Sequence, residues 1–116
     1  MLGDSITITL GGSGGTDKVL VKINQDGYGA VYLLRESLQE FVAKVTHSKN
    51  GTRDRHYVEV KQRIFATATT AEVLRTVSSV ILSAPSDTNA EVTDLQEGLS
   101  FFLSATNVPK IINWES

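Results

Sequence analysis

At 116 residues the chain has room for one domain, and a domain of this size buries only about two-thirds of the surface its unfolded chain exposes, so its stability can depend on a partner. With 41% apolar and 21% charged residues the composition is globular rather than disordered, and the absence of cysteine excludes disulfides, thiolate nucleophiles and thiolate metal sites together. The net charge of −2 hides an asymmetry: residues 41–63 carry six Lys/Arg against two Asp/Glu, whereas residues 64–116 carry two against six. A basic centre of this kind is an electrostatic footprint for an anionic partner.

The first segment, Ser5-Ile6-Thr7-Ile8-Thr9-Leu10, alternates β-branched residues with period two and reads as a half-buried strand, not as a signal peptide. Gly11 to Gly15 is a glycine loop leading into Lys18 to Ile23, so the two strands make an N-terminal hairpin. Asp26-Gly27-Tyr28-Gly29 is a turn signal before a third strand over Ala30 to Leu34. Leu34, Leu38 and Phe41 would also suit a helical turn, but strand formers from Phe41 to Thr46 favour an extended reading. Asn50-Gly51 marks a hairpin, and beyond it Arg55, Tyr57, Glu59, Lys61 and Arg63 alternate with Val58, Val60 and Ile64. Ala66 to Ala71 is a loop of small residues, and Val73 to Leu82 is a last strand whose two faces are poorly separated.

The period then changes. Thr88 followed by Glu91 is a capping-box signature, and Val92, Leu95, Leu99, Phe102 and Leu103 follow at helical spacing up to Thr106 and Asn107. Gly98 costs this helix about 1 kcal/mol relative to alanine. Pro109 can open a second short helix running from Lys110 to Trp114. Strands first and helices last give an α+β class: an N-terminal hairpin, an antiparallel sheet of about five strands and two C-terminal helices. So few helices cannot cover such a sheet, and a second copy of the chain is the economical cover. No apolar run approaches the ~18 residues that would span a bilayer, and no membrane partner is expected.

Catalytic chemistry finds little support. There is no phosphate-cradling Gly-Lys-Ser/Thr motif and no nucleophile elbow, and the glycine loop at 11–15 leads into a strand rather than a helix. His47 and His56 flank the Asn50-Gly51 turn and, with Glu59, could in principle hold a metal, but two packed or solvated imidazoles are the plainer reading. No catalytic residue, metal or cofactor is therefore expected. The hairpin from Lys44 to Arg63 offers more. Lys44, Thr46 and Ser48 on one strand would lie beside Arg55, Tyr57, Glu59, Lys61 and Arg63 on the next, combining cations for phosphates, hydroxyls for hydrogen bonds and a ring for base stacking.

This layout resembles the coat proteins of the leviviruses, the small single-stranded RNA phages. The likeness rests on the N-terminal hairpin, Lys44-Val45-Thr46, the Arg-x-Arg-x-Tyr followed by alternating Val and charged residues over Arg53 to Lys61, Ser86-Asp87 opening an acidic, apolar helix to Leu103, and a short last helix. It implies one coat-protein domain over 1–116, with a hairpin over 1–25, a sheet over 28–84 and dimerisation helices over 87–116. It also implies an intertwined homodimer with one continuous sheet, in which Val92, Leu95, Leu99 and Phe102 are interface residues. Such dimers build an icosahedral T=3 shell, and the inward sheet face binds genomic RNA, in particular a hairpin through which translation is repressed. Carried over to this sequence, the RNA-facing positions are Lys44, Thr46, Ser48, Tyr57, Glu59 and Lys61, with Thr76, and beside it Arg75 or Ser78, on the last strand. The resemblance places the protein in the virion, assembled in the bacterial host cytoplasm. The Ala66 to Ala71 loop is shorter than in familiar members and lacks their cross-linking cysteines. Two other readings compete: a small homodimeric bacterial β-rich module for an acidic ligand, and an enzyme using His47, His56 and Glu59.

Overall fold

A computed structural model describes residues 2–114, which fall into two compact units divided between Leu82 and Ser83. The first unit is built on one antiparallel sheet of six strands in sequence order: β1 (Ser5–Leu10), β2 (Thr16–Asp26), β3 (Gly29–Arg35), β4 (Gln39–Asn50), β5 (Arg53–Ile64) and β6 (Val73–Ser83). Consecutive strands pair throughout, as short turns between alternating segments require. The α+β order expected from the sequence is present, and both strands of the N-terminal hairpin belong to the sheet, which has six strands where about five were expected.

Two turns fix the register that matters for function. At the first, the backbone N–H of Tyr28 donates to the Asp26 carboxylate at 2.7 Å, and Asp26 pairs with Gly29 across the turn. A Cβ on Gly29 would lie 2.1 Å from the carbonyl oxygen of Val45, so only glycine lets β3 approach β4 this closely. At the second, Asn50 pairs with Arg53, which leaves Gly51 and Thr52 as the loop, with Gly51 at φ 66°. The glycine thus occupies the first loop position, the pattern of a type II′ turn, rather than the second position of an Asn-Gly type I′ turn.

Period-two alternation then sorts the side chains. Leu20, Tyr32, Phe41 and Ala43 are fully buried, with Ile6, Ile8, Ala30, Leu34 and Val60 packed against them. Burying the large apolar side chains among them contributes about 1.5–3 kcal/mol each. The Tyr32 hydroxyl donates to the Gly3 carbonyl oxygen at 3.0 Å, so its polar end is satisfied. On the same face a polar chain crosses the sheet. Lys18 Nζ reaches Glu36 at 3.0 Å, Gln39 donates to Glu36 at 2.9 Å, Gln62 to Gln39 at 2.9 Å, and Arg75 to Gln62 at 3.0 Å. Hydrogen bonds to Lys18 and Gln39 hold the Glu36 carboxyl below its ordinary value of 4.5. β2 runs three residues beyond the expected end at Ile23, with a register shift between Lys22 and Asn24 that leaves Ile23 unpaired and 59% exposed.

The second unit carries α1 (Asn89–Phe102) and α2 (Asn107–Ile112). Thr88 caps α1, its hydroxyl accepting from the backbone N–H of Glu91 at 3.3 Å, as the Thr88…Glu91 spacing predicts. The first helix stops at Phe102, earlier than Thr106 and Asn107, where the Asn107 side-chain amide donates to the Phe102 carbonyl oxygen at 2.8 Å. Asn107 instead opens α2, so Pro109 is its third residue rather than its first; a first-turn proline forfeits no intrahelical hydrogen bond. No residue of either helix is buried. No described helix is long and apolar enough to cross a membrane.

Candidate nucleic-acid interface

The β4–β5 pair is the longest in the sheet, and its register decides which side chains share a face. Lys44 lies opposite Glu59, Thr46 opposite Tyr57 and Ser48 opposite Arg55, while Val42 and Glu40 lie opposite Lys61 and Arg63. All the candidates on these two strands therefore stand on one face, and Phe41, Ala43 and Val45 stand on the other. A slip of one residue would have exchanged the two sets. On β6, Arg75 donates to Gln62, which belongs to the Phe41 face, so alternation sends Thr76 to the side of Lys61 and Arg63 and Arg75 away from it. Ser78 shares the parity of Thr76.

The cations on this face are not equivalent. Lys44 is exposed and has no ion-pair partner among the described residues. Lys61 is 47% exposed and only loosely attracted to Glu59, at 3.7 Å. The Arg55 guanidinium sits over the Tyr57 ring, 5.3 Å from its centroid, and presents a flat cation beside a flat ring. Arg63 is engaged by Glu72 at 2.6 Å and Glu40 at 3.7 Å, so much of its charge is already compensated. Glu59 is fixed from both sides: the Tyr57 hydroxyl donates to it at 2.7 Å while Lys61 approaches its other oxygen. That carboxylate is held as an acceptor, able to take a hydrogen bond from an amino group.

The alternation pattern did not pick out some neighbours. A cleft of about 200 Å³ beside Lys44 and Thr46 is lined by Asn24, Tyr28 and Val31, and Tyr28 is 73% exposed. The signal available in the sequence was the Asp26-Gly27-Tyr28-Gly29 turn, which puts an aromatic ring at the end of the sheet. Arg35 shares the face too, but is paired with Glu40 at 2.9 Å. Towards β2 the basic character ends, since Val31 and Leu33 of β3 and Val21 of β2 continue this face.

A family described as the coat protein of phage phiCb5 matches residues 3–84, a stretch that includes the whole of this sheet. The chain belongs to the phage phiCb5 coat protein family. It is accordingly a phage coat protein, a structural subunit that self-assembles into a capsid and resides in the virion. Among solved structures, the coat protein of bacteriophage EMS014 shares its fold with a TM-score of 0.69 at 15% identity, over 86% of this chain and 72% of that one. Among curated proteins no sequence matches.

Membership in this family sets aside the bacterial binding module. The enzyme reading fails on geometry. His47 and His56 are indeed directly opposed, with their Nδ1 atoms 2.9 Å apart, but Glu59 alternates to the other face of the sheet. The three residues do not assemble, and among the described residues no group of three His, Cys, Asp or Glu side chains could hold a metal. Val92, Leu95, Leu99 and Phe102 lie on α1, with Val92 half-buried and the others 79%, 48% and 53% exposed in the single chain.

Proposed function

We propose that this coat protein is of the levivirus type: it dimerises, builds an icosahedral T=3 shell and binds the phage's single-stranded RNA on the β4–β5 face. The observation that carries the RNA proposal is the register. It gathers Lys44, Thr46, Ser48, Arg55, Tyr57, Glu59 and Lys61 on the side of the sheet opposite Phe41 and Ala43. Free cations supply sequence-independent attraction to phosphates, and the Arg55–Tyr57 pair offers a stacking platform for an unpaired base. The fixed acceptor at Glu59 and the hydroxyls of Thr46 and Ser48 can read base edges. The same surface, engaged by an RNA hairpin, accounts for the packaging and translational-repressor roles that the resemblance implies, with assembly in the cytoplasm of the bacterial host.

Dimerisation is supported by what the single chain leaves bare. A 14-residue helix with no buried residue is marginal on its own, and α1 exposes Leu95, Leu99, Phe101 and Phe102. β6 is an edge strand of 11 residues with Leu74 and Val77 62% and 72% exposed, an open template for pairing with a second copy.

The test of the RNA proposal is Lys61→Ala. It removes one exposed cation, so RNA binding weakens and the salt dependence of binding flattens by about one released ion, with the dimer unchanged. Filter binding of phage RNA across a salt series measures both. An unchanged affinity and slope would remove Lys61 from the interface, and the same result for Lys44→Ala would move the interface off this face.

A further inference from the structure

On the opposite face of the same hairpin lies a feature that neither the core nor the proposed RNA surface uses. His47 and His56 are partners in register, their rings meet edge to face at 72° with centroids 5.1 Å apart, and Nδ1 faces Nδ1 at 2.9 Å. Both rings lie where the hairpin has run past the buried core, in contact with solvent. Such an approach requires one nitrogen to donate its hydrogen and the other to present its lone pair. If each ring instead carries its hydrogen on Nε2, both Nδ1 lone pairs converge on the same region.

We infer that His47 and His56 chelate one late first-row divalent transition metal ion, copper(II) in preference to zinc. The argument is geometric. Metal–imidazole bonds are about 2.0–2.1 Å long, so two nitrogens bound at a right angle sit about 2.9 Å apart, whereas a tetrahedral angle spreads them to about 3.3 Å. The observed 2.9 Å is that of a hydrogen bond, with one lone pair aimed at the other nitrogen. It shows that both nitrogens can reach one ion without moving the strands, once the two accessible rings rotate to make their lone pairs converge. The preference for copper(II) rests on the affinity order of divalent ions for nitrogen sites. No third His, Cys, Asp or Glu joins the pair among the described residues, so water fills the remaining positions. The neighbouring Lys49–Asp54 pair, at 2.5 Å, offsets its own charge and leaves little net repulsion for a cation. Bound metal takes the place of the hydrogen bond, with each ring's hydrogen on Nε2, and clips β4 to β5 near the turn end of the hairpin.

This inference is independent of the RNA proposal, since the pair stands on the other side of the sheet. The experiment is titration of untagged protein with copper(II), followed by calorimetry and by pulsed electron paramagnetic resonance, which counts coordinated imidazoles. The chain has only two histidines, so one copper per chain with two imidazoles identifies both. Either His47→Gln or His56→Gln should weaken binding on the order of a hundredfold by removing the chelate, and the double variant, with no imidazole left, should be weaker still. Zinc should bind the wild-type protein more weakly than copper. A wild-type spectrum with a single imidazole per copper would overturn the inference whatever the variants do. So would copper binding that keeps its wild-type affinity after either substitution.

Discussion

Strands β3 and β4 and the stretch from β6 through α1 are both rich in apolar side chains, but they stand in opposite states. Tyr32, Phe41 and Ala43 are at most 1% exposed, whereas Leu74, Val77, Leu95 and Phe101 are more than 60% exposed. The difference lies in what supplies the cover. In β2–β5 the neighbouring strands and β1 bring Ile6, Ile8, Leu20 and Val60 around Tyr32 and Phe41 within one chain. On β6 and α1 apolar residues are placed at strand and helix spacing, but the chain leaves them in water. In the assembly proposed above, that exposed surface supplies contacts between copies.

The sharpest way to break this contrast is Leu99→Asp. A charge placed in an apolar interface would be buried without a partner, so we expect dimers and particles to be lost while the strand signal in circular dichroism stays intact. Wild-type-like dimers from that variant would move the interface off α1. Next in size is Phe41→Ala, which empties part of the internal core and should cost about 3–5 kcal/mol of sheet stability, read from urea unfolding of the dissociated protein. A loss under 1 kcal/mol would mean that the core is held elsewhere. Thr88→Ala removes the hydroxyl that caps α1 and should cost about 1 kcal/mol, felt in assembly rather than in the strands.

The smallest effect is expected at Glu36. Its folded carboxyl is held below 4.5 by hydrogen bonds to Lys18 and Gln39, so the charged form is favoured by folding. The stabilisation is complete above pH 4.5 and is lost as the pH falls through the lowered folded value. Glu36→Gln should therefore lower the urea midpoint slightly at neutral pH and flatten its decline in the acid window. Parallel curves for the two proteins would show that the Lys18–Glu36 pair contributes nothing measurable.

Legibility from sequence follows the same divide. The β4–β5 hairpin was legible as a pair of strands because one face is buried by the chain itself, which makes β5 alternate from Arg55 to Arg63. Its exact register was not, because Phe41, Val42 and Ala43 are all apolar and leave a slip of one residue open. The observed register places Lys44, Thr46 and Ser48 beside Arg55, Tyr57 and Glu59. The blurred alternation of β6 had a physical cause, since neither face of this edge strand is buried in the single chain over Val73–Ser78. The α1 start was visible in Thr88 and Glu91. Its end was not, because the Asn107 amide that closes it acts from five residues away, beyond any local cap signal. The bulge at Ile23 and the cleft beside Tyr28 depend on how β2 meets β3 and could not be read from either strand alone.

The most direct test of the central claim is size-exclusion chromatography of recombinant protein with absorbance at 260 and 280 nm, followed by negative-stain microscopy of the largest species. Uniform spherical particles carrying nucleic acid are the predicted result, with dimers as the smallest species on dissociation. A stable monomer that neither assembles nor retains RNA, even after phage RNA is added, would contradict the account.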